Sequence, residues 1–165
     1  MDASVVVAIG ATVIAVASLA VSVYQARASR IHNRQSLRPN LELRHSFPRG
    51  GTAGLRLTNS GLGPAAITRT RLTMDGGSPI EFDEPGVNRL RDVLATRPSA
   101  TTLGGKPLLP TNYDEYLLSV KGYDPDIHRE FFELIRHRLV LEIQYESLYG
   151  GERFVTTHSP VVDPT

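Results

Sequence analysis

Five histidines, several acidic pairs and two glycine-rich loops are the parts of this 165-residue chain with potential for chemistry. Zinc-hydrolase chemistry needs two histidines four apart on one helix face, with a glutamate base between them. No two of His32, His45, His128, His137 and His158 are four apart, and no His-Glu-x-x-His run occurs. His128 and Glu130 are two positions apart, which puts them on different faces of a helix. His137 lies between Arg136 and Arg138, where a bound cation is repelled. His45 and His158 fall at the ends of predicted strands. Each therefore reads as a surface histidine.

The other candidates read as structural too. Asp124 and Asp126 flank Pro125 and suit the start of a helix, where carboxylates answer open amides and the helix dipole. Glu142, Gln144 and Glu146 share one face of a predicted strand and read as a solvated sheet surface. Gly61-Leu62-Gly63-Pro64 has strands on both sides, and Gly104-Gly105-Lys106 runs into Pro107, so neither forms a phosphate loop opening a helix. Ser60 lies between Asn59 and Gly61 and forms no nucleophile elbow. The chain has no cysteine, which removes disulfides, thiolate metal sites and a cysteine nucleophile. We expect no catalytic, cofactor-binding or metal-binding residue, and no cofactor.

The elements that position these residues divide sharply. No charge occurs between Asp2 and Arg27. Ser4 to Tyr24 is mostly Val, Ala, Ile and Leu, and as a helix it is roughly 31 Å long, close to the hydrocarbon thickness of a bilayer. A cleaved signal peptide has a basic start, whereas Met1-Asp2-Ala3 is acidic, so an uncleaved anchor is expected. Arg27, Arg30, Arg34 and Arg38 follow at spacings of 3, 4 and 4, on one face of a continuing helix that Pro39 stops. They suit a topology signal and contact with anionic lipid headgroups at the membrane surface. The positive-inside rule puts the N-terminus outside and the remaining chain in the cytoplasm, as a single-pass protein of the inner or plasma membrane. Ala8, Ala11, Ala15, Ser18 and Ser22 form a small-residue seam suited to helix association.

Beyond Pro39 the period changes from helical to alternating. Strands are expected at Leu41–Leu43, Leu55–Thr58, Ala65–Met74 and Ile80–Phe82. Further strands are expected at Tyr116–Val120, Leu139–Glu146 and Arg153–His158. Tyr116, Leu118 and Val120 are the inward set of the fifth. Turns are expected at Pro48–Gly51, Asn59–Pro64, Asp75–Gly77 and Tyr149–Gly151, with a loop from Arg97 to Thr111. One short helix is expected after Pro85, through Val87, Leu90, Val93 and Leu94. A second starts at Asp124-Pro125 and buries Ile127, Phe131, Leu134 and Ile135. About seven strands with one or two inserted helices predict a mainly β, immunoglobulin-like sandwich. The expected organisation is an anchor over 1–26, a basic juxtamembrane helix over 27–39, the sandwich over 40–159 and a tail over 160–165. The body beyond Arg38 is slightly acidic, with 14 basic and 16 acidic side chains, and offers nucleic acid no basic strip.

Three segments carry a resemblance: His32-Asn33-Arg34-Gln35-Ser36-Leu37-Arg38-Pro39, Asn59-Ser60-Gly61-Leu62-Gly63-Pro64-Ala65 and Tyr145-Glu146-Ser147-Leu148-Tyr149-Gly150. With the apolar N-terminal helix they resemble small bacterial single-pass membrane-anchored proteins with a C-terminal β-rich domain. The resemblance implies the architecture and no activity. The expected function is a membrane-tethered, non-catalytic binding or scaffold module on the cytoplasmic face, with a protein partner or self-association. The alternative is a membrane-associated sensor or effector, including one serving defence, whose domain binds a small ligand and whose helix oligomerises.

Overall fold

The computed structural model describes residues 2–105, 107–148 and 152–161, with the backbone alone at positions 5, 6 and 30–36. The chain forms two compact units, Met1–Ser36 and Leu37–Thr165.

The first unit is one helix, α1, spanning Ala3–Ser36. It ends three residues before the first proline, Pro39, whose ring disfavours helical backbone in the residue preceding it. Its segment Val7–Ser29, 23 residues, is long and apolar enough to cross a membrane. The Thr12 hydroxyl donates to the Ala8 carbonyl at 2.9 Å, and the Ser22 hydroxyl to the Ser18 carbonyl at 2.8 Å. These two polar groups therefore place no unmet donor on an apolar surface.

The second unit is mainly strand. Its elements are β1 (Leu41–Ser46), β2 (Ala53–Asn59), β3 (Ala65–Met74), α2 (Glu84–Asp92), β4 (Ser99–Ala100), β5 (Leu108–Leu109), β6 (Asp114–Val120), α3 (Arg129–Glu133), a π-helical turn over Leu134–Arg138, β7 (Leu139–Ser147) and β8 (Arg153–His158). Among the described residues these strands form two four-stranded antiparallel sheets, ordered β1-β2-β6-β4 and β5-β3-β7-β8. The alternation read from sequence is the alternation of burial. Along β7 Leu139, Leu141, Ile143, Tyr145 and Ser147 point inward, and Val140, Glu142, Gln144 and Glu146 are half-buried on the outer face. Leu55 and Leu57 of β2, Ile67 and Leu72 of β3 and Leu118 of β6 meet them in one core. Each fully buried Leu or Ile contributes roughly 1.5–3 kcal/mol.

Turn chemistry closes the end of β3. Asp75 and Gly76 have φ of 52° and 69°, and the Gly77 amide donates to the Met74 carbonyl at 2.8 Å. Two successive left-handed residues make the tight hairpin turn that Asp-Gly favours. The Asp75 carboxylate takes two bonds from Arg138, 2.7 and 2.6 Å, which hold its pKa below the usual carboxylate range. At α2 the Asp83 carboxylate accepts the Gly86 amide at 2.9 Å, a side-chain N-cap with a proline in the first turn.

Four expectations are corrected. Ile80 makes a single bridge to Leu72 and no strand through Phe82. The Arg97–Thr111 loop holds β4 and β5, which at two residues each carry no readable period. The helix expected from Asp124-Pro125 begins at Arg129, because Asp124 closes a local turn. Its carboxylate accepts the Asp126 amide at 2.9 Å, and its amide donates to His128 Nδ1 at 3.0 Å. Ile127, expected in the core, is accordingly exposed, whereas Phe131, Leu134 and Ile135 are buried as expected. Fourth, Leu117 is as buried as Leu118. The β2–β6 register shifts between Leu55, opposite Leu118, and Arg56, opposite Tyr116, so Leu117 is the extra residue of a bulge.

Strict alternation would leave Leu117 on the surface and indifferent to truncation. The bulge predicts instead that Leu117→Ala costs about 2–5 kcal/mol, as buried leucines do. Urea denaturation of the full chain in detergent measures it.

Candidate functional site

Strand directions divide the domain into two poles. At the entry pole the chain arrives from α1 through Leu37, β2 and β7 end, and the Asn59–Pro64 loop crosses. At the far pole β1, β6 and β8 end and the π-helical turn begins.

The entry pole is built on Asn59, a polar residue with no exposed surface. Its side-chain amide donates to the carbonyls of Gly63 (2.9 Å) and Pro110 (3.1 Å). Its side-chain oxygen accepts the amides of Asn40 (3.2 Å) and Gly61 (3.1 Å). The Asn59 backbone amide donates to Tyr113 O at 2.8 Å, and its carbonyl accepts the Asn112 amide at 3.2 Å. One residue thus joins the entering segment, its own loop and the loop before β6. The glycines allow the close approach. A Cβ on Gly63 would lie 1.9 Å from the Leu37 carbonyl oxygen, and one on Gly61 would lie 2.4 Å from that of Arg38. Ser60 ties in the start of β1. Its amide donates to the Asn40 carbonyl at 2.9 Å and its hydroxyl to Glu42 at 2.9 Å. The Ser60 and Arg44 bonds hold the Glu42 carboxyl below its ordinary pKa. From the other sheet, the Tyr145 hydroxyl accepts the Leu41 amide at 3.1 Å.

The far pole is a chain of rings. His158 meets His45 edge-on with centroids 5.5 Å apart, and His45 meets Phe47 at 5.8 Å. Phe47 touches Phe132 at 4.8 Å and Tyr123 at 5.5 Å. Tyr123 reaches His128 at 5.8 Å, Phe132 reaches His137 at 6.4 Å, and the Arg136 guanidinium lies 5.5 Å over the Phe132 ring. The π-helical turn is closed by its neighbours. His158 Nε2 lies 2.7 Å from the Ile135 carbonyl, the Val161 amide donates to the Arg136 carbonyl at 2.8 Å, and the Asp75 amide donates to that of Arg138 at 3.0 Å.

Among the described residues, His137 Nε2 lies 3.9 Å from Glu133 Oε2. Burial, then the Asp124 charge, raises the Tyr123 pKa, so its hydroxyl stays protonated near neutrality. Among the described residues no group of three or more His, Asp or Glu is placed to hold a metal. No protein-family model matches the chain, and no curated protein matches it.

The expected surface histidines need correction. His128 and His158 are buried, because each ring fills a ring stack while one nitrogen meets backbone: the Asp124 amide for His128 and the Ile135 carbonyl for His158. His45 is exposed, and the side chain of His32 lies outside the described residues. Glu142 and Glu146 sit on the outer sheet face, half-buried beside Arg71 and Arg153. Gly104 and Gly105 line a surface cavity of about 200 Å³ together with Arg69, Glu81 and Asp83, and Lys106 lies outside the described residues. Ala8, Ala11, Ala15, Ser18 and Ser22 all lie on α1 and are exposed, as is Arg27. The side chains of Arg30 and Arg34, the Tyr149–Gly151 turn and the tail past 161 lie outside the described residues. Arg38 stands beyond the end of α1 and donates to Glu152 at 2.7 Å.

Sequence reasoning marked the Asn59 loop as a turn and missed its role as a clamp. The only sequence signal was a polar residue opening a glycine-rich loop. Asn59→Ala removes four side-chain bonds and leaves buried partners unmet, a loss of about 3 kcal/mol or more in urea denaturation. Asn59→Asp sets a carboxylate against two carbonyls and is expected to cost more. At the far pole, partial burial lowers the His45 pKa, helped by the charges of His158 and Arg136. The folded state therefore resists a proton that the unfolded chain accepts. Stability is fully present above the ordinary histidine pKa of about 6.5 and falls as pH drops through the lower folded value. Between about pH 7.5 and pH 5.5 the wild type is expected to lose more melting temperature than His45→Gln.

Proposed function

We propose that the protein is a membrane-tethered, non-catalytic binding module. α1 is the anchor, and the β domain is held at the cytoplasmic face to engage a protein partner. The observation that carries this reading is the clamp. A helix with a 23-residue span of membrane-crossing length leads, through Leu37–Asn40, into a segment locked by a fully buried asparagine and two close-packed glycines. A segment fixed where the chain enters the domain suits a tether.

The resemblance to small bacterial single-pass anchored proteins gains support from the same place. The described parts of its three segments, Leu37–Pro39, Asn59–Ala65 and Tyr145–Leu148, come together at the entry pole. The immunoglobulin-like reading is supported by strand order. β1-β2-β6-β4 follows the A-B-E-D order, and β3-β7-β8 follows C-F-G, with β5 added beside β3. The departure lies between β3 and β6, where the strand on the first sheet precedes the one on the second. The four-arginine run, Arg27 to Arg38, supports the cytoplasmic orientation. With the entry pole taken by the tether, the far pole is the face left for a partner. Its half-buried Phe47, Phe132 and Arg136 are of the types that anchor interfaces.

Deleting residues 2–25 is expected to move the protein from the membrane pellet to the soluble fraction, with the domain's cooperative melt retained. Full-length protein that leaves membranes in a high-salt wash would contradict the anchor. A Phe132→Ala, Arg136→Ala double variant is expected to stay membrane-bound and to lose proteins that co-purify with the wild type.

A further inference from the structure

The entry pole has an apolar rim that the clamp does not use. Leu62, at the tip of the Asn59–Pro64 loop, is 71% exposed, and Leu148, just past β7, is 57% exposed. The register puts them at the same end. Ala65 opens β3 opposite Ser147, so the residues before Ala65 and after Ser147 leave the sheet side by side. Leu108, 52% exposed, pairs with Ala66 on the other side of β3. Among the described residues, four arginines of the strands and loops nearest this pole are paired with carboxylates. Arg38 pairs with Glu152 at 2.7 Å, Arg153 with Glu146 at 3.3 Å, Arg44 with Glu42 and Arg56 with Asp114. What it offers a partner is aliphatic surface with little net charge.

Chain length says what that partner is. The apolar segment of α1 ends at Ser29, and the helix continues only to Ser36 before the clamped segment begins at Leu37. Seven helical residues rise roughly 11 Å, a few ångströms more than a headgroup layer of about 5–8 Å and too little for an intervening protein domain. We propose that the entry pole is itself a bilayer-contact surface, with Leu62 and Leu148 inserted at the lipid interface as apolar residues. The proposal rests on α1 spanning the membrane. Amphipathic surfaces of this kind bind through buried apolar area and gain from anionic lipid only in proportion to their basic charge. With these arginines paired, this pole enters zwitterionic lipid as readily as anionic lipid.

The absence of cysteine makes the test direct. Full-length variants with one cysteine each, Ser18→Cys, Leu62→Cys, Leu148→Cys or Ile127→Cys, are labelled with an environment-sensitive fluorophore. They are placed in phosphatidylcholine nanodiscs holding nitroxide lipids at shallow or deep positions. Ile127 is the control, since it is also 71% exposed but lies beyond the far end of β6. Labels at 62 and 148 are expected to be quenched several-fold more by the shallow nitroxide than the label at 127, at low and high salt alike. The label at 18 is quenched by the deep nitroxide. Adding Leu62→Asp to the Leu148→Cys variant is expected to lower quenching at 148 without changing the melt. Quenching at 62 and 148 equal to that at 127, with 18 still quenched, overturns the proposal and leaves the anchor standing. Quenching at 62 and 148 that needs anionic lipid overturns the apolar mode of contact. An unquenched label at 18 overturns the anchor, and the pole contact with it.

Discussion

Asn59 has no exposed surface and yet satisfies every hydrogen-bonding atom of its side chain, with both backbone groups bonded as well. In a low-dielectric interior such a network is strong when complete and costly when any member is missing. Its partners come from three stretches distant in sequence, near residues 40, 61–63 and 110–113. The network can therefore close only when β1, the Asn59–Pro64 loop and the approach to β6 are all in place. Gly61 and Gly63 bring backbone against backbone where a side chain would collide with the entering segment. The start of β1 and the loop into β3 both follow from this one residue.

The two poles use different physics. The entry pole is held by directional bonds among neutral groups, which fix geometry. The far pole is held by ring contacts and by caps on the carbonyls of the π-helical turn. Ring contacts tolerate small shifts that hydrogen bonds do not, and π-helical turns are often retained where a site is needed. Here the turn leads directly from α3 into β7. It presents Arg136 and His137 beside Phe132, while Ile135 stays in the core.

The two sheets leave their charges outside and pair them locally. Arg56 spans β2 and β6 to reach Asp114 and also lies 5.4 Å over the Tyr116 ring. Arg138 reaches Asp75 across the hairpin turn. Exposed pairs of this kind add little stability each. They do remove unmatched charge, which leaves the aliphatic rim near Leu62 and the ring-lined far pole as the distinctive surfaces of the domain.

The amino-acid sequence by itself determined the apolar run that makes α1, its end near Pro39, the arginine block, the main strands and the turns at Asn59–Pro64 and Asp75–Gly77. These follow from local causes: side-chain period, charge, proline and glycine backbone limits. A short helix after Pro85 was legible for the same reason, though not its cap by Asp83. Only the tertiary structure decided that Leu117 turns inward, because a bulge depends on the partner strand. It also decided that Asp124 closes a turn and starts no helix, because His128 competes for its amide. That His45 meets His158, that Asn59 is the buried centre of a clamp, and that Leu62 and Leu148 share a rim were likewise unreadable in the sequence. Each is a meeting of residues far apart in the chain, and such meetings are set by strand pairing and sheet stacking, which local pattern does not encode.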